Sequence, residues 1–317
     1  MSDCGKSSHP QASRNGPAAK RCVYRIELTH SYLRESFGPL KLLTLNTHSW
    51  LEIHQLHKIK RLADFILAEE IDVVALQEVN QNVVSDEADA PSSFLPVRSQ
   101  PLKKSNFALL LSAMLEKAGA AYQWSWADSH VGWGIYDEGI SLLSRLPVQQ
   151  VQCIETSKNI YTYDDVFRRC ALAFEVETAS GSAWFASAHM NWWLMEGEYL
   201  FEHDFASLNQ QLRSLAGEKP VFLMGDFNNC ASIPDEGYAQ MMRLNWHDSF
   251  AQAQQRQGEF TVHKNIAGWE GATKAMRLDY ILTSQPIPCL SHRVVFDDST
   301  EDAISDHSGV VAEYDFE

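Results

Sequence analysis

No apolar run in this sequence approaches the length of a membrane span, and the polar opening from Met1 to Lys20 has no signal-peptide hydrophobic region. Cysteine is sparse and scattered. Cys4, Cys22, Cys153, Cys170, Cys230 and Cys289 form no CxxC pair and no zinc spacing, so they read as reduced thiols and the expected location is the cytoplasm. Basic residues are in deficit: 26 Lys and Arg face 41 Asp and Glu, and the formal charge of -15 argues against an electrostatic grip on nucleic acid. The densest basic group, His57-Lys58-Ile59-Lys60-Arg61, falls on a predicted helix. No Ser or Cys nucleophile motif stands out, which favours direct hydrolysis over a covalent intermediate. What the sequence has in quantity is apolar: 45% hydrophobic residues in a 317-residue chain suffice for one large α/β unit with a sizeable core.

The organisation follows from periodicity. Residues 1 to about 20 lack it and read as disordered, and residues 21–38 hold a few apolar side chains that either dock weakly or form an upstream extension. This sets a leader over 1–38 and a catalytic unit over 39–317. Leu40–Leu45 reads as a strand, Leu56, Ile59, Leu62, Ala63 and Ile66 lie at helical spacing, and Ile71–Leu76 reads as a second strand. Strand, helix, strand implies a right-handed crossover between parallel strands. A long polar loop is expected from Asn80 to about Ser105, then a helix over Phe107–Lys117. Strand-like runs follow near Tyr122–Ala127, Gly139–Leu143, Val148–Ile154, Arg169–Val176 and Ser182–Ala188, with later ones at Leu278–Leu282, Val294–Phe296 and Gly309–Glu313. The second half repeats the first. Trp184–Ala188 leads to His189, a helix carries Tyr199, Phe205, Leu208, Leu212 and Leu215, and Val221–Met224 forms the next strand. Two such halves would bring four strand ends to one edge, where open α/β sheets bind ligands.

Those ends are polar. After Val221–Met224, Gly225 is expected to turn the backbone tightly, and in an extended strand end Asp226 and Asn228 project to the same side. Read alone, the stretch is also compatible with an Asx-rich turn. Asn46, Glu78, His189, Asp306 and His307 also follow apolar runs or stand between them. Asp279 interrupts the apolar run Leu278–Leu282, so it needs a partner, and a histidine is the natural one. Together these residues supply metal-binding oxygens, a water-orienting acid, neutral phosphate donors and a carboxylate-backed imidazole, which is the equipment for attack of water on phosphorus.

Leu45-Asn46, Leu76-Gln77-Glu78-Val79, Gly225-Asp226-Phe227-Asn228, Arg277-Leu278-Asp279-Tyr280 and Ser305-Asp306-His307 occur in the order typical of the endonuclease/exonuclease/phosphatase superfamily, which the chain resembles over roughly residues 40–316. The resemblance implies a deoxyribonuclease-like, four-layer α/β sandwich: two packed mixed β-sheets flanked by helices. It also implies a phosphohydrolase site that uses Mg²⁺ or Mn²⁺. Under it, Glu78 is the principal metal ligand, Asn46 helps build the same site, and Asp306 sits close to the metal. Asp226 orients the water, Asn228 and His189 hold phosphate oxygens, and His307, backed by Asp279, stabilises the transition state. Many nuclease members carry an acid two positions after the first Asn. This chain has His48 there, which argues against a second metal position at that point.

A narrower resemblance links Leu45–Glu52, Asn191-Trp192-Trp193 and Gly268-Trp269 to the maltose 6'-phosphate phosphatases within that superfamily. Trp50, Trp192, Trp193 and Trp269 lie beside the polar motifs, and indole faces suit a small, polar, stackable ligand, although such residues also serve as core fillers. Arg168-Arg169 offers a phosphate clamp or a strand-edge charge pair. The resulting expectation is a phosphomonoesterase acting on a small phosphorylated substrate such as a sugar phosphate. The alternatives are a phosphodiesterase or nuclease and, against the completeness of the polar set, a non-catalytic binding module. Neither a nucleic acid nor a membrane is expected as a partner, and no feature specifies an oligomeric state.

Overall fold

The computed structural model describes residues 24–25, 38–157 and 161–316. In chain order the elements are β1 (Tyr24–Arg25), β2 (Leu40–Asn46), α1 (Gln55–Ala68), β3 (Val73–Gln77), β4 (Gln81–Asn82), α2 (Phe107–Lys117), β5 (Gln123–Gly132), β6 (Tyr136–Ser144) and β7 (Val148–Glu155). They continue with β8 (Cys170–Thr178), β9 (Gly181–His189), α3 (Leu200–Ala216), β10 (Val221–Asp226), α4 (Gly237–Arg243), β11 (His247–Asp248), α5 (Ser249–Gln252), β12 (Gln255–Gln257), β13 (Asp279–Thr283), β14 (Cys289–Val295) and β15 (Gly309–Tyr314). One sheet runs β1-β7-β8-β9-β10-β13-β11, and the other runs β12-β14-β15-β2-β3-β6-β4 with β5 on β6. Apart from Tyr24–Arg25, which pairs with β7, and Gly38, the leader lies outside the described residues.

The layering follows from the side-chain alternation of buried strands. In β10, Phe222 and Met224 face the core between the sheets, while Val221 and Leu223 face a separate core beneath α3. In β2 and β3, Leu42, Val73 and Ala75 join the inter-sheet core, and Leu43, Leu45, Val74 and Leu76 pack beneath α1 and α2. Both faces of the central strands are thus covered, which is why they read as continuous apolar runs. Each large side chain so buried contributes about 1.5–3 kcal/mol. The result is the four-layer order helices, sheet, sheet, helices that the family resemblance implies.

Both sheets are mixed. β2 and β3 are parallel and joined through α1, and β9 and β10 are parallel and joined through α3. Most other pairs are antiparallel, including β15 on β2 and β13 on β10. Helix α2 begins at Asn106, whose side chain accepts from the Leu109 N–H at 3.1 Å. In α1 the buried stripe is Ile59, Leu62, Ala63 and Ile66. Leu56, expected in that stripe, is 57% exposed. The inward place in the first turn belongs to Gln55, whose side chain accepts from the Trp50 N–H. Tyr199 likewise precedes α3 and stays exposed instead of joining its buried face.

Gly225 does not turn the chain. It lies inside β10 at φ 155, and a Cβ there would stand 1.9 Å from the Ala188 carbonyl oxygen on β9. Its missing side chain serves a close approach of two parallel strands, and the turn follows later, at Asn228.

Candidate active site

The two parallel pairs end at the same edge. β2 ends at Asn46 opposite Gln77, and β10 ends at Asp226 opposite His189. β13 begins there with Asp279 paired to Asp226, and His307 stands two residues before β15. Below this edge the sheets are joined by buried polar groups: Gln77 Nε2 donates to Ser187 Oγ at 3.0 Å, and Ser187 Oγ donates to the Leu76 carbonyl at 3.2 Å.

Asn46 connects the two sheets at the edge itself. Its amide Nδ2 donates to Glu78 Oε1 at 2.9 Å and to Asp226 Oδ2 at 3.0 Å, and its Oδ1 accepts from the His48 N–H at 3.1 Å. The other Asp226 oxygen, Oδ1, accepts from the Asn228 N–H at 2.8 Å. Asn228 is in the left-handed region (φ 48), so Asp226 and Asn228 converge through an Asx turn and not, as expected, by projecting from one extended strand. Glu78 is also left-handed (φ 50), and its carbonyl accepts from Thr47 Oγ1 and Ser49 Oγ at 2.9 and 2.7 Å. Strained backbone of this kind persists only where neighbours over-determine it.

Two histidines flank Asp226. His307 Nδ1 lies 2.9 Å from Asp279 Oδ2, the partner that the buried acid required, and its Nε2 lies 3.7 Å from Asp226 Oδ2. His189 Nε2 lies 3.6 Å from the same oxygen and 3.1 Å from Asn228 Nδ2. Burial pushes the Asp226 carboxyl up to about 7, helped by the Asp279 charge and opposed by His307 and the Asn46 hydrogen bond. Burial alone would lower the His307 pKa, but Asp279 and Asp226 outweigh it and hold the ring well above its usual range. His189 goes the other way. Burial and the adjacent Arg169 hold it well below, as a neutral imidazole.

Arg168, which the sequence offered as a phosphate clamp, is engaged elsewhere: it donates to the Ser129 carbonyl, pairs with Glu155 and Asp128, and lies over Tyr163. Its neighbour Arg169 reaches the cluster instead. Arg169 Nε donates to Asn191 Oδ1 at 3.0 Å, its Nη1 lies 3.4 Å from His189 Nδ1, and its guanidinium stands over the Trp192 ring. Trp193 turns away as well, packing its ring against Tyr199 and Phe201 on the α3 side. Trp269 is at the site, donating from Nε1 to Asn228 Oδ1 at 3.2 Å. Trp50 donates to the carbonyls of Asn80 and Ser105 and so ties down the loop after β3.

Sequence reasoning passed over Glu138, a buried acid whose Oε1 lies 3.4 Å from His130 Nε2, 3.8 Å from Arg169 Nη1 and 4.0 Å from His189 Nδ1. Burial, reinforced by Glu78, pushes its carboxyl up to about 8. The available signal was its position two residues into β6, a strand buried throughout, which the expected start at Gly139 cut short.

Glu78, Asn46 and Asp306 could hold a divalent cation. Glu78 and Asp306 are half-buried, and among the described residues Asn46 Nδ2 is the one hydrogen-bond donor on the Glu78 carboxylate. Oxygen donors with residual negative charge suit a hard cation. Asp306 is carried on a turn whose Ser305 Oγ donates to the Asn46 carbonyl at 2.7 Å. His48 stands 3.7 Å from Asp306 Oδ1 and 2.8 Å from Glu52 Oε1.

A family model described as the endonuclease/exonuclease/phosphatase family matches residues 54–307. Among solved structures, a protein of that family from Leptotrichia buccalis C-1013-b is 27% identical, with a TM-score of 0.74 over 87% of this chain and 100% of its own. A mannosyl-6-phosphatase from Bacteroides thetaiotaomicron VPI-5482 is 16% identical, with a TM-score of 0.62 over 87% of this chain and 100% of its own. Truncated TDP2 from Caenorhabditis elegans is 17% identical, with a TM-score of 0.58 over 87% of this chain and 97% of its own. The last two share the fold with this chain. No curated protein matched it. A family match over 54–307, on two packed sheets with the polar residues gathered at one edge, means that the chain belongs to the endonuclease/exonuclease/phosphatase family.

Proposed function

We propose that the protein is a metal-dependent phosphomonoesterase that removes the terminal phosphate of a small sugar phosphate, of the maltose 6'-phosphate kind, by direct attack of water. Members of its family are typically hydrolases and generally use divalent metals. The observation that carries the reading is the convergence on Asp226: Asn46 and the Glu78 side on one flank, His307 and His189 on the other.

Asp226, with its carboxyl raised to about 7, takes the proton of the attacking water, for which a base titrating near the working pH is best matched. The water oxygen bonds to phosphorus and the ester P–O bond breaks, with the electron pair leaving on the sugar oxygen. His307, held protonated, donates from Nε2 to the charge developing on the phosphate, while Asp279 fixes Nδ1. Asn228 and the neutral His189 receive phosphate oxygens. Glu78, Asn46 and Asp306 would hold Mg²⁺ or Mn²⁺, which would supply Lewis-acid polarisation of the phosphate when bound.

Two observations support a small substrate: the formal charge is -15, and Trp192 and Trp269 are half-buried beside Arg169 and Asn228. Cys153, Cys170, Cys230 and Cys289 are unpaired, which supports action in a reducing compartment such as the cytoplasm. Residues 39–317 form the catalytic unit on this reading, so a chain lacking 1–38 is expected to keep its activity, losing in stability only what the two-residue β1–β7 pairing contributes. Phosphate release by the purified protein with Mg²⁺ or Mn²⁺ against sugar phosphates, nucleotides and DNA tests the proposal. Cleavage of duplex DNA faster than every sugar phosphate would replace it with the nuclease reading.

A further inference from the structure

The amide of Asn228 is held at both ends. Its Nδ2 donates to the Met190 carbonyl at 3.1 Å and faces His189 Nε2 at 3.1 Å, while its Oδ1 accepts from Trp269 Nε1 at 3.2 Å. The oxygen end therefore points to the indole and the donor end to the cluster, and Asn228 is itself 4% exposed. Trp269 belongs to an irregular loop, residues 263–275, between the bridged residues Val262 and Met276. Two contacts seat it. The Trp269 ring packs on a small apolar cluster of Cys230, Val262, Met276 and Leu278, and Gly268 lies directly on the Trp192 ring. A Cβ on Gly268 would stand 2.4 Å from Trp192 Cε2 and Cζ2, and its φ of 81 disfavours any other residue. Trp192 in turn lies over Arg169, which contacts His189.

We propose that Trp269 is a positioning residue for Asn228. Its indole N–H keeps the carboxamide oriented with one N–H on the Met190 carbonyl and the other toward His189 and the phosphate position, and the seating of the 263–275 loop on Trp192 sets that hold. This rests on the reading of Asn228 as a phosphate contact. It gives Trp269 a second task beside stacking on a sugar, and the two tasks separate by substitution. Trp269→Phe keeps an aromatic face and removes the donor, leaving a buried carbonyl oxygen unpartnered. Gly268→Ala keeps the indole and unseats the loop.

The test compares wild type, Trp269→Phe, Trp269→Ala and Gly268→Ala on p-nitrophenyl phosphate, which has no sugar, and on maltose 6'-phosphate. Trp269→Phe and Gly268→Ala are expected to lower kcat about tenfold on both esters. KM for p-nitrophenyl phosphate should stay within about twofold in each variant. Trp269→Ala should add a rise in KM for the sugar phosphate alone. A kcat for Trp269→Phe within about twofold of wild type on both esters would overturn the proposal, as would an effect confined to KM. A readout independent of substrate is the side-chain amide resonance of Asn228, assigned by its loss in Asn228→Asp. It should shift and broaden in Trp269→Phe, and an unchanged resonance would refute the positioning role whether or not any sugar phosphate is hydrolysed.

Discussion

Replacing Gly225 by alanine tests the geometry of the β9–β10 seam most directly. The new methyl would lie 1.9 Å from the Ala188 oxygen, 2.9 Å from its carbonyl carbon and 3.1 Å from its nitrogen. All three are backbone atoms of a paired strand, so no side chain can swing aside, and the seam must open by roughly an ångström. Overpacking costs about 1–3 kcal/mol where side chains can adjust, and a backbone obstacle belongs at about 3 kcal/mol or beyond. For a domain of this size each kcal/mol lowers the melting temperature by about 2–4 °C, so a fall of about 6–12 °C is expected. Gly134→Ala is the control. Gly134 has φ 69 and no atom within 4 Å of an added Cβ, so only left-handed strain of about 1 kcal/mol applies. Both variants are compared with wild type by calorimetry in chelator. Ala188 precedes His189 and Gly225 precedes Asp226, so Gly225→Ala should also lose about a hundredfold in kcat well below its melting temperature. If Gly225→Ala melts no lower than Gly134→Ala, the close approach is not a constraint and the explanation of this glycine is wrong.

Chelation should abolish phosphate release, Mg²⁺ or Mn²⁺ should restore it, and Glu78→Gln should weaken the response to added metal. Full activity of that variant in metal-free buffer would remove Glu78 from the metal site. Asp226→Asn and His307→Ala should each cost at least about a hundredfold in kcat with folding retained by circular dichroism. Near-normal turnover in either would refute its role. Because the folded-state pKa of Asp226 is raised to about 7, its contribution to the stability of the metal-free protein is full below the unfolded carboxylate pKa of about 3.9 and lost as pH rises through about 7. Melting temperature against pH should show this slope in wild type and not in Asp226→Asn. Trp193→Ala should lower stability by about 2 kcal/mol, since its half-buried ring packs on Tyr199 and Phe201, and should leave KM for sugar phosphates unchanged within about twofold.

The central strands were legible because burial on both faces makes them continuous apolar runs. Asp279 betrayed its need for a partner by interrupting such a run, and His307 meets that need. Neighbouring residues were harder to tell apart. Neither Arg168-Arg169 nor Trp192-Trp193 lies in a regular element, so no period assigns a side, and one member of each pair turns to the cluster and the other away. Glu138 escaped for a related reason: His130 is its cross-strand partner on β5, while Arg169, just before β8, and His189, at the end of β9, reach it only once both sheets are packed. The short elements α4, β11, α5 and β12 offer too few residues to show a period.

The pairing of β15 with β2, which sets Tyr314 opposite Leu40, has a consequence for synthesis. A ribosome releases β2 early and its neighbour on that side nearly a whole domain later. Until then β2 can pair with β3 but exposes its other edge, a row of backbone donors and acceptors along an apolar strand, to whatever chain is near. Vectorial folding of the second sheet therefore stalls at an open seam, and Asn46, at the end of that strand, cannot be braced by the Ser305 hydroxyl until the last motif has emerged. The site is assembled last, by the same event that closes the sheet.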